Sequence, residues 1–194
     1  ILCGDVNPSG RTIDTFVYDL TQTPTSNNFG NFTYTNMDEF KANAFGTDTI
    51  PAFVNYVEGI YVGYKFYETA AAEGLIDYDK TVVYPFGRGL SYTTFTQTLN
   101  SVTEADGTIT VDVTVTNTGS ASGKEVVEVY YNPPYTNGGI EKASANLIGF
   151  AKTSELAPGA SENVTVTFKA EDMASYDTYG KGCYVLEKGD YVIS

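Results

Sequence analysis

The sequence predicts a mainly β protein, with a two-sheet β-sandwich over residues 91–194 that follows an incomplete α/β segment with a long extended arm. Two observations carry this prediction. In the second half, short runs of alternating apolar and polar residues are separated by turn residues. The first ninety residues contain one helical pattern and a long stretch without any period. A region with so little regular structure cannot enclose a core of its own, so we expect it to need a partner surface.

The second half shows its clearest alternation over Thr108–Asn117, where apolar side chains face one way and Thr or Asp side chains the other. Asp106-Gly107 before this run predicts a hairpin, and Asn117-Thr-Gly119 after it predicts a turn. About seven short strands in roughly a hundred residues are typical of an immunoglobulin-like or fibronectin type III sandwich. The other predicted strands are Glu125–Tyr131, Leu147–Ala151, Asn163–Phe168, Tyr184–Leu186 and Tyr191–Ile193. We expect one core to hold Val111, Val113, Val115, Val127, Val129, Val166 and Phe168.

The first half has a different character. Gly63–Glu73 predicts a helix, with Gly74 placed as its C-terminal stop. Between Tyr18 and Asn55 the chain is polar and aromatic without a sustained period, which predicts an extended arm lying on another body. The apolar start at Ile1 and the strand pattern at the end both favour a segment of a longer polypeptide.

Composition excludes several classes of function. A formal charge of −13 with only 11 Lys and Arg argues against binding to nucleic acid or to an anionic membrane surface. No apolar run approaches the ~20 residues of a spanning helix. The absence of histidine removes Ser-His-Asp and Cys-His catalysis and HExxH zinc sites, so we expect no metal. The compartment stays open, with the cytoplasm slightly favoured over secretion.

Two further residue types leave alternatives. Cys3 and Cys183 could form a disulfide, but two isolated buried thiols are the favoured interpretation. The 16 tyrosines suit sugar-facing clefts and interfaces, yet the preference of strands for tyrosine explains them more simply.

Two residues are weak candidates for substrate binding, and no residue is predicted to be catalytic. Acidic residues between positions 58 and 79 raise the possibility of a catalytic carboxylate pair, and Glu58 stands out beside the Gly59-Ile60-Tyr61 turn. Local hydrogen bonds to its carboxylate explain Glu58 about as well as a substrate contact does. Arg11 follows a tight Asn-Pro-Ser-Gly turn. We expect it to clamp a carboxylate of its own domain, with a ligand role as the lesser alternative.

Three dense strings of glycine, proline and aromatic residues precede the sandwich: GDVNPSGRTIDTF (Gly4–Phe16), YVEGIYVGYKFYE (Tyr56–Glu68) and YPFGRGLSYTTF (Tyr84–Phe95). In this order they resemble the end of the second domain of family 3 glycoside hydrolases, the β-glucosidase and β-xylosidase family. The later VTNTG turn, GKEVVEVYY strand and APG turn resemble the fibronectin-like domain that often follows. The resemblance covers the whole chain. It implies that residues 1–90 are the C-terminal end of the α/β sandwich domain, with arm and linker, and that residues 91–194 are a fibronectin type III-like domain.

The resemblance also implies a reaction. Family members hydrolyse terminal β-D-glucosidic bonds with retention, through a covalent glycosyl-enzyme and without a cofactor. An α/β barrel supplies the aspartate nucleophile, and a loop of the α/β sandwich domain supplies the glutamate acid/base. Both lie outside the stretch that this chain resembles, so we expect the segment alone to be inactive. The implied partners are the missing α/β barrel and α/β sandwich domains of the same enzyme and a β-glucoside or β-xyloside substrate, with the glucoside favoured.

Some residues depart from the family pattern. Thr12-Ile13 stands where members usually have Leu-Pro, and Arg88 where they often have Tyr. The insert Tyr135–Ser144 and the region of Cys183 resemble members whose domain order is permuted. The rival hypothesis is a carbohydrate-binding or adhesion module of the immunoglobulin-like type without catalysis. It explains the second half and the many tyrosines, but it does not explain the three strings.

Overall fold

The computed structural model describes residues 1–28, 32, 42–44, 47–49 and 52–194. Residues 1–90 contain short elements, among which β1 (Phe16–Val17) pairs antiparallel with β4 (Val82–Tyr84). Short 3-10 turns cover Leu20–Gln22 and Pro24–Asn28. The named elements of this part are β1 (Phe16–Val17), β2 (Ala42–Ala44), β3 (Thr47–Thr49), α1 (Tyr64–Ala72), α2 (Tyr78–Thr81) and β4 (Val82–Tyr84).

The second part is a sandwich of two antiparallel sheets. One sheet has the strand order β5-β6-β9 and the other the order β12-β7-β8. A separate hairpin joins β10 to β11. The mainly β fold class and the fibronectin-like sandwich are confirmed. The strands are β5 (Phe95–Ala105), β6 (Thr108–Asn117), β7 (Val126–Asn132), β8 (Asn146–Lys152), β9 (Ser161–Lys169), β10 (Ser175–Tyr176), β11 (Tyr184–Val185) and β12 (Val192–Ile193).

The predicted core is confirmed. The seven predicted side chains belong to one buried cluster, with Ile109, Tyr131, Leu156, Val164 and Met173 as further members. The hairpin between β5 and β6 turns at Asp106 and Gly107, which have φ values of +50° and +73°. Positive φ at both turn positions matches the right-handed twist of the flanking strands. This turn therefore fixes the register that sends every second β6 side chain into the core.

Helix α1 confirms the helical prediction. It begins after Gly63 and ends before Gly74, which adopts a φ of +69°. Tyr67 and Ala70 form its buried face. Helix α2 was not predicted, because a single four-residue turn is too short to show a helical period. Of the 38 residues of the predicted arm from Tyr18 to Asn55, 16 lie outside the described residues, and the described ones include the two 3-10 turns, β2 and β3.

Asn117 explains why the VTNTG turn has its sequence. Its fully buried side chain donates to the carbonyls of Ala121 and Leu156, both at 2.8 Å, and accepts from the Thr93 hydroxyl at 2.6 Å. A Cβ on Gly119 would lie 2.7 Å from the backbone nitrogen of Thr94, so this position requires glycine. The turn thus ties the start of the sandwich to the loop before β9.

The prediction of buried thiols is wrong. Cys3 and Cys183 are both free and exposed. Cys3 lies in a tight turn, in which the Gly4 amide donates to the Ile1 carbonyl at 2.9 Å. Cys183 lies in the loop that connects β10 to β11, directly before β11. Turn positions override the general tendency of cysteine to be buried.

Candidate functional site

The strings around Arg11 and Arg88 meet side by side and form a joint between the two halves of the chain. Arg11 and Gly89 make an isolated antiparallel bridge. The Thr12 amide donates to the Arg88 carbonyl at 2.8 Å, and the Gly87 amide donates to the Thr12 carbonyl at 2.9 Å. The Thr12 hydroxyl also donates to the Pro85 carbonyl at 2.7 Å. The threonine that departs from the family's Leu-Pro therefore contributes a hydrogen bond within the joint.

Arg11 clamps a carboxylate, but that carboxylate lies outside residues 1–90. Its guanidinium forms an ion pair with Glu125, directly before β7, and donates to the Gly87 carbonyl at 3.5 Å. The Glu125 carboxylate also accepts from the Val126 amide at 2.7 Å. The side chains are 27% and 11% exposed, so water screens this pair only weakly. The contacts of Arg11 are those of a structural clamp.

The glycines beside Arg88 allow this close approach. A Cβ on Gly89 would lie 2.8 Å from the Gly10 carbonyl oxygen, and a Cβ on Gly87 would collide with the Glu128 carboxylate. Arg88 itself turns away and places its guanidinium carbon 5.2 Å from the ring centroid of Tyr84. The YPFGRGL string is thus a packing loop.

Asn7 ties the same joint from its other side. Its side-chain nitrogen donates to the Ser122 carbonyl at 2.8 Å, and its side-chain oxygen accepts from the Tyr92 amide at 2.8 Å. The Ser91 hydroxyl donates to that oxygen at 3.1 Å. Asn7 therefore bridges the residues just before β5 to the turn before β7.

Helix α1 contacts the sandwich through Tyr64. The Leu147 amide donates to the Tyr64 hydroxyl at 2.8 Å, and the Tyr64 ring lies 5.9 Å from that of Tyr130. The Ser144 amide donates to the Thr69 hydroxyl at 3.0 Å. Burial raises the pKa of Tyr64 and of Tyr130, and the hydrogen bond from Tyr130 to Glu128 raises that of Tyr130 further. The helix is thereby fixed to β7 and to the start of β8.

Glu58 takes part in a local structural contact. Its carboxylate accepts from the side-chain nitrogen of Asn28 at 2.6 Å, while the side-chain oxygen of Asn28 accepts from the Val57 amide at 3.1 Å. Asn28 is 1% exposed. Glu58 therefore anchors the buried side-chain amide of Asn28, a residue within the predicted arm.

Two of the other acidic candidates are engaged locally. Glu68 accepts from the Tyr78 hydroxyl at 2.6 Å, and Asp77 pairs with Lys80 at 2.6 Å. The hydrogen bond from Lys80 is the main cause that lowers the pKa of Asp77. Within the described ranges, no group of His, Cys, Asp and Glu side chains is arranged to hold a metal ion. In the same part of the chain, no helix is long and apolar enough to cross a bilayer.

A second feature, the hairpin cleft, was missed by sequence reasoning. It has a volume of about 770 Å³ and lies between the β10–β11 hairpin and the loop 138–143, with Ile60 and Lys65 at one end. The strand pair places Tyr176 opposite Tyr184, with ring centroids 5.3 Å apart at 74°. Three distant stretches build the cleft, so only the local density of tyrosine could have pointed to it.

Polar contacts hold the loop wall of the hairpin cleft. Lys142, whose side chain is 2% exposed, forms an ion pair with Glu187 and donates to the Pro134 carbonyl at 2.5 Å. The Tyr61 hydroxyl donates to Glu141 at 2.6 Å, and this contact adds to burial in raising the pKa of Tyr61. This bond joins the loop to the segment before α1.

Known proteins match this chain over both of its halves. The family model for the fibronectin type III-like domain matches residues 125–194. β-Glucosidase A of Butyrivibrio fibrisolvens is 39% identical over 98% of this chain. The structure of a β-glucosidase from Paenibacillus barengoltzii superposes with a TM-score of 0.79 and 38% identity over the whole chain. The structure of a GH3 β-glucosidase from Bifidobacterium adolescentis superposes on the whole chain with a TM-score of 0.76 and 29% identity. The chain belongs to glycoside hydrolase family 3.

The match covers a small share of each relative. The chain spans 22% of the Butyrivibrio enzyme, 19% of the Paenibacillus chain and 24% of the Bifidobacterium chain. The chain thus spans about one fifth of the length of the relatives that it matches. Strands β5 and β6 precede the range of the family model, yet β6 pairs with β9 inside that range.

Proposed function

We propose that this chain is a segment, with a structural and domain-packing role, of a retaining β-glucosidase that hydrolyses terminal β-D-glucosidic bonds. The observation that carries the proposal is the match of both halves, sandwich and preceding strings, to proteins named β-glucosidases. That name also favours β-glucosides over β-xylosides. The rival, a free-standing immunoglobulin-like binding module, accounts for the sandwich alone.

The role of the chain follows from its contacts. Arg11 and Glu125, Asn7 and Ser122, and Tyr64 and Leu147 join the first ninety residues to the sandwich. The two candidates are both engaged in structural contacts, Glu58 with Asn28 of the first segment and Arg11 with Glu125 of the sandwich. A retaining enzyme needs two carboxylates about 5–5.5 Å apart. We place both of these outside this chain, and we place the domain boundary near residue 90.

The surface that we assign to contact with partner domains lies on residues 1–90 of this chain. Phe16 and Tyr84 make an edge-on pair, with ring centroids 6.3 Å apart, yet both rings stay half exposed. Ile13, Tyr18 and Leu20 extend the apolar surface, each more than two-thirds exposed. A contiguous apolar surface of this kind marks an interface. Because the chain spans about a fifth of its relatives, we assign this surface to the α/β barrel and α/β sandwich domains of the same enzyme.

Release of nitrophenol from nitrophenyl β-D-glucoside and β-D-xyloside tests the proposal. The full-length polypeptide should hydrolyse the glucoside faster than the xyloside, and the 194-residue chain should hydrolyse neither. An inactive full-length polypeptide would refute the reaction. Turnover by the 194-residue chain that is lost in Glu58→Gln would instead assign catalysis to Glu58.

The partner surface has its own test. In the full-length enzyme, Phe16→Ser should lower the melting temperature, because it removes apolar area from the proposed interface. Ile193→Ser, on the sandwich, is not a suitable control because that side chain packs against the core. Leu99→Ser, at a half-exposed position of β5, is the matched control and should change the melting temperature little. Equal effects of Phe16→Ser and Leu99→Ser would contradict the assignment of the interface.

A further inference from the structure

We propose that the hairpin cleft is a binding subsite for a neutral, β-linked gluco-oligosaccharide. The choice of sugar rests on the proposed function, whereas the site rests on the geometry of the cleft. About 770 Å³ lies within the roughly 300–1,000 Å³ typical of small-molecule sites. The cleft is separate from the joint, since neither Arg11 nor Glu125 lines it.

Exposed aromatic rings are the first argument. Tyr179 is 94% exposed, Tyr184 is 74% exposed and Tyr176 is 50% exposed, and all three line the cleft. A tyrosine ring is a large apolar surface with a polar tip, suited to a ligand that is apolar on its faces and polar at its rim. A pyranose ring has this character, with C–H groups on its faces and hydroxyls around its edge. Three such rings on one short hairpin form a stacking surface for a sugar.

The charge of the lining is the second argument. The lining holds three cations, Lys65, Lys142 and Lys181, against three anions, Glu141, Asp177 and Glu187. The cleft is therefore balanced within a chain whose net charge is −13. A balanced lining neither attracts nor repels by net charge, which favours a neutral ligand over an anionic or cationic one.

Most of these charges are already fixed by the protein. Asp177 accepts from the amides of Gly180 and Lys181, both at 2.8 Å, and Lys142 is paired with Glu187. Lys65 and the ammonium group of Lys181 have no hydrogen-bond partner among the residues that the structure describes. Donors of this kind suit the hydroxyls of a sugar.

The cleft is also preorganised. The hairpin is closed by the Asp177 amide, which donates to the Cys183 carbonyl at 2.9 Å, and by the Tyr176 hydroxyl, which donates to the Gly182 carbonyl at 3.0 Å. The facing loop is fixed by Lys142 and by the Tyr61–Glu141 hydrogen bond. Ligand binding would therefore order few side chains, which reduces the entropic cost of association.

The test is an NMR titration of the 194-residue chain with cellotriose and with laminaritriose. We expect amide shifts confined to residues 138–143, 174–187 and the neighbourhood of Lys65. Tyr184→Ala should weaken binding by about tenfold, the loss of one stacking contact, while Tyr184→Phe should retain most of it. Tyr56→Ala removes a comparably exposed ring outside the cleft and should leave the affinity unchanged. Maltotriose, which is α-linked, should bind more weakly.

The outcomes separate this inference from the proposed function. Absence of shifts with either β-linked sugar, shifts outside the cleft, or equal affinities for Tyr184→Ala and Tyr56→Ala would overturn the subsite. None of these results bears on hydrolysis of nitrophenyl glucoside by the full-length polypeptide, which tests the proposed function alone. A melting temperature equal to that of the parent chain establishes that each variant is folded.

Discussion

Arg11 and Glu125 belong to opposite halves of the chain, yet their side chains form one largely buried ion pair. Arg11 lies in the NPSGR string, and Glu125 directly precedes β7. Their contact is closed further by the Gly87 carbonyl, which accepts from the same guanidinium. A pair in this place holds the first segment against the sandwich.

Removal of the cation should destabilise the joint. In Arg11→Met the Glu125 carboxylate loses its charge partner while it stays mostly buried, and we expect a loss of about 2 kcal/mol in the free energy of unfolding. Urea unfolding measures this loss. The double variant Arg11→Met/Glu125→Gln should lose less than the sum of the two single variants, because no buried charge is then left unpaired.

Lys80→Met is the control for this prediction. It breaks the exposed pair between Lys80 and Asp77, whose side chains are 83% and 51% exposed. Exposed pairs of this kind contribute about 0–1 kcal/mol. An Arg11→Met variant that unfolds like Lys80→Met would show that the Arg11–Glu125 pair contributes no more than a surface contact.

Asn117→Ala should be one of the most destabilising single changes in the sandwich. The substitution leaves the carbonyls of Ala121 and Leu156 and the Thr93 hydroxyl without their buried partner. We expect a loss of about 3 kcal/mol in the free energy of unfolding, because each buried group left unsatisfied costs about 1–3 kcal/mol. Asn100→Ala removes exposed hydrogen bonds to Thr114 and Asn163 and should cost much less in the same thermal or urea experiment.

Neighbouring residues of β9 test the register of the core. Val166 is 5% exposed and contacts the opposite sheet near Gly149, whereas Thr167 faces solvent. Val166→Asp buries an unpaired charge and should cost several kcal/mol, enough to unfold the sandwich at room temperature. Thr167→Asp should leave the circular dichroism spectrum and the melting temperature nearly unchanged. Similar melting of both variants would mean that the register is shifted.

Alternation and turn residues made the sandwich predictable. Strand β6 has the bounds read from the sequence, and the other five predicted strands differ from their predicted bounds by a few residues at most, whereas β5 and β10 had no predicted bounds. These signals are local, since each depends on the residues of one strand and the turn beside it. The helix α1 was predictable for the same reason, with Gly74 as a local stop signal.

The joint and the cleft were not predictable, because they depend on contacts between distant residues. Arg11 suggested a clamp on a carboxylate, but nothing local pointed to Glu125 as its partner. The hairpin cleft combines Ile60, the loop 138–143 and the tyrosines near residue 180. Only the folded sandwich brings these together. The wrong expectation for Cys3 and Cys183 came from a general tendency, which the turn geometry at both positions overrides.

The tyrosines between α1 and the sandwich should make the protein sensitive to alkaline pH. The pKa values of Tyr64, Tyr130 and Tyr131 are raised, in each case chiefly by burial. A raised pKa means that the folded state keeps the phenol proton which the unfolded state releases above about pH 10. The stabilising contribution is therefore complete below about pH 10 and is lost as the pH rises through the folded-state values.

Urea unfolding at a series of alkaline pH values, followed by circular dichroism, tests this expectation. The free energy of unfolding should fall steadily above about pH 10. Tyr130→Phe removes one of these phenols together with its hydrogen bond to Glu128. It should be less stable than the parent chain by about 1 kcal/mol at neutral pH, and its stability should fall less steeply in alkali. A Tyr130→Phe slope as steep as that of the parent chain would show that Tyr130 does not contribute to the alkaline loss.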